Sequence, residues 1–296
     1  MKKIILMMLM VGYGMLSYGQ LLADKFGFEA HRGGRALVPE NTIAAMKYTL
    51  GLKNVNTLEM DLCISKDKKV VVSHDVYFHP NITTTPQGEY LTPENARQHL
   101  LYQMDYDSIS KYDVGLKPHP EFVDQKKFAA VKPLLTALLD ETEKIAKQQN
   151  RLIYYNMEIK SRKAGDGKEH PLPDEFVDLV VSILKEKGVI SRTVIQSFDM
   201  RPLQVLHQKY PEIKLSLLTG KNAKDAKQML QRLGFTPAAY SPEFSTVTPE
   251  MISYCHAKKI KILPWTVNTA EEIQKLKDLG VDGVISDNPV LFQKIK

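Results

Sequence analysis

Alternating strand-like and helix-like runs, a length suited to one barrel of ~250 residues, and a strand count that resolves to eight predict an α/β fold of the (β/α)8 TIM-barrel class. Strand-like runs lie at 28–32, 57–64, 70–74, 153–160, 193–198, 214–219, 238–242, 261–267 and 281–286. That is one too many. Residues 65–69 are too few for the crossover of about a dozen residues that joins parallel neighbours. Run 70–74 is therefore expected to fold back on 57–64 as an antiparallel hairpin arm, leaving eight barrel strands.

Helical patterns separate most of these runs. Asn41 is expected to cap a helix over 43–52, and a second helix, 133–149, follows a long insertion. In 173–187, Phe176, Leu179, Val180 and Leu184 share one side. Shorter helices are expected at 202–209, 223–233 and 249–257. Thr269 and Glu272 form a capping-box pair that opens a helix to Leu279, and 289–295 closes the chain.

Residues 76–132 break the alternation. They carry Asn81-Ile82-Thr83-Thr84-Thr85-Pro86, Lys117-Pro118-His119-Pro120 and scattered tyrosines. A loop this long inside a compact domain is functional or a small subdomain. It follows a strand end, the side on which barrel active sites lie, and is expected to cap the substrate entrance.

At the start, Lys2 and Lys3 lead an apolar run over 4–16, followed by Ser17-Tyr18-Gly19. This is the pattern of a cleaved secretory signal over 1–19. The run is shorter than the roughly 18 to 20 apolar residues of a membrane span, and no cysteine near the cut could carry a lipid. The expectation is one exported domain, 20–296, periplasmic or secreted, with no stable membrane insertion. Losing the two lysines leaves 38 basic against 34 acidic residues, +4 in place of +6. So mild an excess, without a long basic run, suits a small anionic substrate and does not argue for nucleic acid or a membrane surface. Oligomeric state is left open. So is the pairing of Cys63 and Cys255, the only cysteines, although export permits a disulfide. Cys63 lies on the Glu59/Asp61 face and is expected to fill space there as a small core residue.

The chemistry concentrates between residues 31 and 75. In strand 57–64, Glu59 and Asp61 share one face while Leu58, Met60 and Leu62 share the other. Two adjacent buried carboxylates repel each other and cost several kcal/mol without a cation between them. A hard divalent metal is the simplest such cation. Strand 153–160 offers the same pattern: Asn156, Glu158 and Lys160 on one face, apolar residues on the other. Glu59, Asp61 and Glu158 are the expected ligands. His31 and His74, at strand ends, are the expected acid/base pair. Arg32 can grip a phosphate with two parallel hydrogen bonds and Lys160 can add a point charge. Glu40 is an expected partner of Arg32, and the direction of Arg35 is open because of the extra Gly34. Gln196 and Asp199 are expected as supporting hydrogen-bonding groups. The other six histidines are read as structural, with His79 the closest to the site in sequence.

Taken in order, these pieces resemble the glycerophosphodiester phosphodiesterase family. The resemblance is carried by His31-Arg32-Gly33, Pro39-Glu40-Asn41-Thr42, Glu59-Met60-Asp61 and Ser73-His74-Asp75. It continues through Met157-Glu158-Ile159-Lys160, Gln196-Ser197-Phe198-Asp199, Pro264-Trp265-Thr266-Val267-Asn268 and Gly283-Val284-Ile285-Ser286-Asp287. It runs from about residue 28 to the C-terminus, and the 76–132 segment is similar in kind to the insertion of exported bacterial members.

The resemblance implies metal-dependent hydrolysis of a glycerophosphodiester to glycerol 3-phosphate and an alcohol such as choline or ethanolamine. It implies that Trp265 packs against the organic part of the substrate, and that the attacker can be the neighbouring glycerol hydroxyl, giving a cyclic phosphate that water opens. Which histidine is base is open. Calcium or magnesium fits three carboxylates, and export to a calcium-containing compartment favours calcium. Two rival readings are a related phospholipase acting on a lipid with an acyl chain and a noncatalytic barrel used as a binding scaffold. The polar cap argues against the first, and the intact acid/base and metal positions argue against the second.

Overall fold

Nine strands appear among the described residues, 26–223 and 225–296 of the computed structural model. They are β1 (Gly27–Ala30), β2 (Thr57–Ile64), β3 (Val70–Val72), β4 (Tyr154–Ile159), β5 (Thr193–Ser197), β6 (Lys214–Thr219), β7 (Ala239–Pro242), β8 (Lys261–Ile262) and β9 (Gly283–Ser286). The expected signal over 1–19 lies outside the described residues. No helix among those described is long and apolar enough to cross a membrane.

Eight strands are parallel, in the order β8-β7-β6-β5-β4-β2-β1-β9, and β3 pairs antiparallel with β2, Leu62 opposite Val72. The hairpin arm is thus where the loop-length argument places it. The barrel is nearly closed. The segment 262–267, β8 and the residues after it, meets 282–285 through three backbone hydrogen bonds, from Asp282 N to Ile262 O, Ile285 N to Pro264 O and Val267 N to Ile285 O. The regular ladder of β8 stops at Ile262 rather than running to 267, because Pro264 has no N–H to give it. At the β1–β9 seam, a Cβ on Gly283 would lie 2.6 Å from the Gly27 carbonyl oxygen, so this close approach requires glycine.

The helices are α1 (Ile43–Leu50), α2 (Tyr106–Ile109), α3 (Leu135–Gln148), α4 (Pro173–Glu186), α5 (Met200–Lys209), α6 (Ala226–Leu233), α7 (Pro249–Ala257) and α8 (Ala270–Leu279). Two expectations are corrected. Thr42, not Asn41, caps α1, accepting from Ala45 N, because Asn41 is turned into the left-handed region (φ 55°) and its side chain goes to Asp61. The closing helix is a 3-10 helix, Pro289–Lys294. At α8 the capping box forms as expected, with Thr269 accepting from Glu272 N and donating to its carboxylate.

The alternation along β2 decides where the core and the site lie. Leu58, Met60 and Leu62 are buried in the main core with Leu135, Leu138 and Leu139 of α3. Glu59 and Asp61 are buried on the opposite side, inside the barrel. The insertion is not a bare loop. Phe78, Ile82, Leu91, Leu101, Ile109, Tyr112 and Val114 form a second core with Cys63 and Val71 of the hairpin. Cys63 therefore packs between hairpin and cap rather than beneath the carboxylates. Both cysteines are buried and free.

Candidate active site

β2 and β4 run side by side with Asp61 in register with Glu158 and Glu59 with Asn156. Parallel pairing and a two-residue period place Glu59, Asp61 and Glu158 together, each offering an oxygen within 4.8 Å of the others. All three are buried.

Each is anchored by neighbours at the same barrel end. After β1 the chain makes a tight turn in which Arg32, Gly33 and Gly34 all take positive φ (50°, 76°, 88°). A Cβ on Gly33 would lie 2.9 Å from that of Ala45. The turn aims the Arg32 amide at Glu59, donating to Oε2 at 2.8 Å, while Gln196 Nε2 donates to Oε1 at 3.1 Å. Asn41 donates to Asp61 Oδ2 at 2.8 Å and accepts from the Asp61 amide at 3.2 Å. Lys160 pairs with Glu158 at 2.8 Å.

The electrostatics of the three acids conflict. Burial, and then the charge of Asp61, push Glu59 well above the usual carboxylate range. Burial also pushes Glu158 up against the pull of Lys160. Asp61 goes the other way: burial opposes its charge, but His74, Lys160, Arg32 and His31 outweigh it. Asp61 Oδ1 is buried without a hydrogen-bond partner, the nearest cation being Lys160 Nζ at 3.7 Å. A divalent cation removes both features at once. With oxygens 2.3–2.6 Å from a bound calcium, ligand oxygens within 4.8 Å of one another fit around one ion.

His31 and His74 precede and follow the Glu59/Asp61 strand in the chain, and each has a carboxylate. His31 Nδ1 lies 2.5 Å from Asp287 Oδ1, and Asn268 Nδ2 donates to Asp287 Oδ2 at 2.8 Å. Burial pushes Asp287 up, but His31 outweighs it and the carboxyl is held down at about 2. The Asp287 bond fixes the Nδ1–H tautomer and leaves Nε2 free. Burial, then Arg32, lowers the His31 pKa despite Asp287. His74 Nδ1 lies 3.3 Å from Asp75, and beneath them the buried Lys132 donates to Ser73 Oγ at 2.8 Å.

Arg32 is wrapped by acids: Nη1 donates to Glu40 at 2.9 Å and Nε lies 3.3 Å from Asp61. Arg35 also reaches Glu40, at 2.9 Å, and its guanidinium stacks 4.9 Å from the Phe122 ring centroid of the cap. Trp265 is half-buried, its Nε1 donating to Ser241 O, and it meets the exposed Phe198 edge-to-face at 5.4 Å. Asp199 lies one step removed from the site. It caps α5 and pairs with Arg201, reaching the site only through Ser161, the neighbour of Lys160.

Sequence reasoning gave Asn41 only a capping role, and gave none to Asp287, Asn268, Lys132 or Phe198. Asn41, Phe198, Asn268 and Asp287 lie inside motifs quoted above, so the motif blocks were the available signal. Lys132 carries none, being one lysine in a lysine-rich stretch.

The chain belongs to the glycerophosphoryl diester phosphodiesterase family, whose profile matches residues 31–291. That membership makes it a phosphoric diester hydrolase built on a (β/α)8 barrel. It is 28% identical over 262 residues to a glycerophosphodiester phosphodiesterase of Caldanaerobacter subterraneus subsp. tengcongensis, covering 88% of this chain and 93% of that protein. It is 28% identical over 316 residues to a glycerophosphodiester phosphodiesterase of Bacillus subtilis, covering 100% and 98%. A crystal structure from Silicibacter pomeroyi DSS-3 superposes with a TM-score of 0.81 at 28% identity, over 91% of this chain and 92% of that one.

Proposed function

We propose that this chain hydrolyses glycerophosphodiesters to glycerol 3-phosphate and an alcohol, using a divalent metal held by Glu59, Asp61 and Glu158. The observation that carries the reading is the buried three-carboxylate cluster with two histidines acting on its Asp61, each histidine with its own carboxylate partner. When bound, the metal supplies positive charge against the phosphate oxygens as charge builds in the transition state. Calcium is favoured over magnesium, on the expectation that the chain is exported, periplasmic or secreted.

The chain's own residues do the rest. Arg32 and Lys160 hold the phosphate, with Glu40 fixing the Arg32 guanidinium. Trp265 and Phe198 form an apolar wall for the carbon skeleton. Gln196 orients Glu59. His31, kept neutral by burial and oriented by Asp287, takes the proton from the attacking hydroxyl through Nε2. His74 gives a proton to the leaving alcohol oxygen as the P–O bond breaks, so the alcohol departs neutral.

The test is kinetic. His31→Ala and His74→Ala should each lower turnover of glycerophosphoethanolamine by roughly 100-fold or more, the scale of a lost acid or base. With a p-nitrophenyl ester, whose leaving group needs no proton, His74→Ala should recover most of its rate while His31→Ala should not. Wild-type rates in either variant, or a product other than glycerol 3-phosphate, would overturn the reading.

A further inference from the structure

A cavity of ≈180 Å3 opens beside His74 and Arg32 on the cap side. It is bounded by His79, Asn81 and His119 of the cap and by Arg35 and Glu40 of the loop after β1. The two cap histidines are built alike. His79 Nδ1 accepts from the Asn81 amide at 3.1 Å, and His119 Nδ1 accepts from the Glu121 amide at 3.1 Å. Each neutral ring therefore carries its proton on Nε2. His119 is 4% exposed, and its Nε2 has no recorded partner among the described residues. Such donors, set beside the carboxylates of Asp75 and Glu121, match a ligand whose groups both donate and accept, as hydroxyls do. The cavity has room for a small alcohol.

The aromatic surface of the cap points to the same conclusion by exclusion. A quaternary ammonium is recognised by open aromatic faces. Here those faces are taken by the protein's own cations: Arg35 lies 4.9 Å from the Phe122 centroid, Arg97 4.8 Å from Tyr77 and Lys117 4.7 Å from Tyr90. A choline head group would have to displace an arginine or lysine to reach any of these three cap rings.

We infer that this cavity is the subsite for the departing alcohol and that it selects a polyhydroxy head group over a quaternary ammonium, with His119 and His79 as specificity-determining residues. The inference rests on the proposed cleavage of glycerophosphodiesters and adds which of them is preferred.

The experiment compares kcat/KM for glycerophosphoglycerol and glycerophosphocholine in the full-length protein. Wild type is expected to favour the glycerol head group by 10-fold or more. His119→Leu should cut that ratio by about 10-fold, the scale of one lost net hydrogen bond, with the loss mainly in KM. His119→Gln, which keeps a donor, should retain more of the preference, and Asn81→Ala tests the same wall should the buried leucine prevent folding. Equal kcat/KM for the two diesters, or a choline preference, overturns the inference while leaving the activity standing. Failure to cleave either diester overturns both.

Discussion

Glu29 shows how far burial alone sets behaviour at the residue scale. It lies on β1 inside the barrel, accepts from Asn156 Nδ2 at 2.7 Å, and through Asn156 and Gln196 connects to Glu59. Burial, only partly offset by the Asn156 hydrogen bond, pushes its carboxyl to about 7. A carboxyl raised from its unfolded value of about 4.5 binds more protons folded than unfolded. Its contribution is fully present below pH ~4.5 and is lost as pH rises through ~7, on the order of 3 kcal/mol in all. Glu29→Gln should therefore lose less stability than wild type between pH 5 and 8, as read by denaturant midpoint at each pH. Parallel curves for the two proteins would refute this account of Glu29. At this scale the sequence displayed the three candidate carboxylates but few of their partners. Glu59 and Asp61 are legible because strand alternation puts them on one face. The Asp287–His31 pair spans 256 residues and forms only once β9 closes against β1.

At the scale of elements, the cap is held by local devices rather than regular structure. The Asp113 carboxylate accepts from the amides of Gly115 (3.0 Å), Leu116 (2.8 Å) and Ala130 (2.8 Å), tying both ends of residues 113–130. Asp113→Ala leaves three amides without their acceptor, at ~1–3 kcal/mol of local stability for an unsatisfied group. The expected outcome is faster amide exchange across 110–131, weaker discrimination among head groups, and little change on a small chromogenic diester. Unchanged exchange would show that the second core alone holds the cap. This architecture was only half legible. Too short a connection at 65–69 revealed the hairpin, and the broken alternation revealed the insertion. The second core was not visible, because Phe78, Ile82, Leu91 and Leu101 follow neither a period of 2 nor one of 3.6. The cap at Thr42 was missed because Asn41 is drawn off to Asp61, a partner 20 residues on, and the shortened β8 because Pro264, inside an otherwise strand-like run, has no N–H to give.

At the scale of the whole molecule, the barrel gathers residues from β2, β4 and the loops after β1, β3 and β9 at one end, with the cap above them. Pairing β2 with β4 brings Glu158 across from Asp61 although 96 residues of chain, including the cap, separate them. The central claim is that this assembly is completed by a divalent cation. Glu59→Gln, Asp61→Asn and Glu158→Gln should each weaken metal binding while keeping the thermal transition, because all three side chains meet one another through charge rather than packing. The most direct measurement is glycerol 3-phosphate release from glycerophosphodiesters before chelation, after exhaustive chelation, and after calcium or magnesium is restored. The account predicts activity abolished by the chelator and recovered with the ion, calcium being the more effective. Full activity after chelation would contradict it.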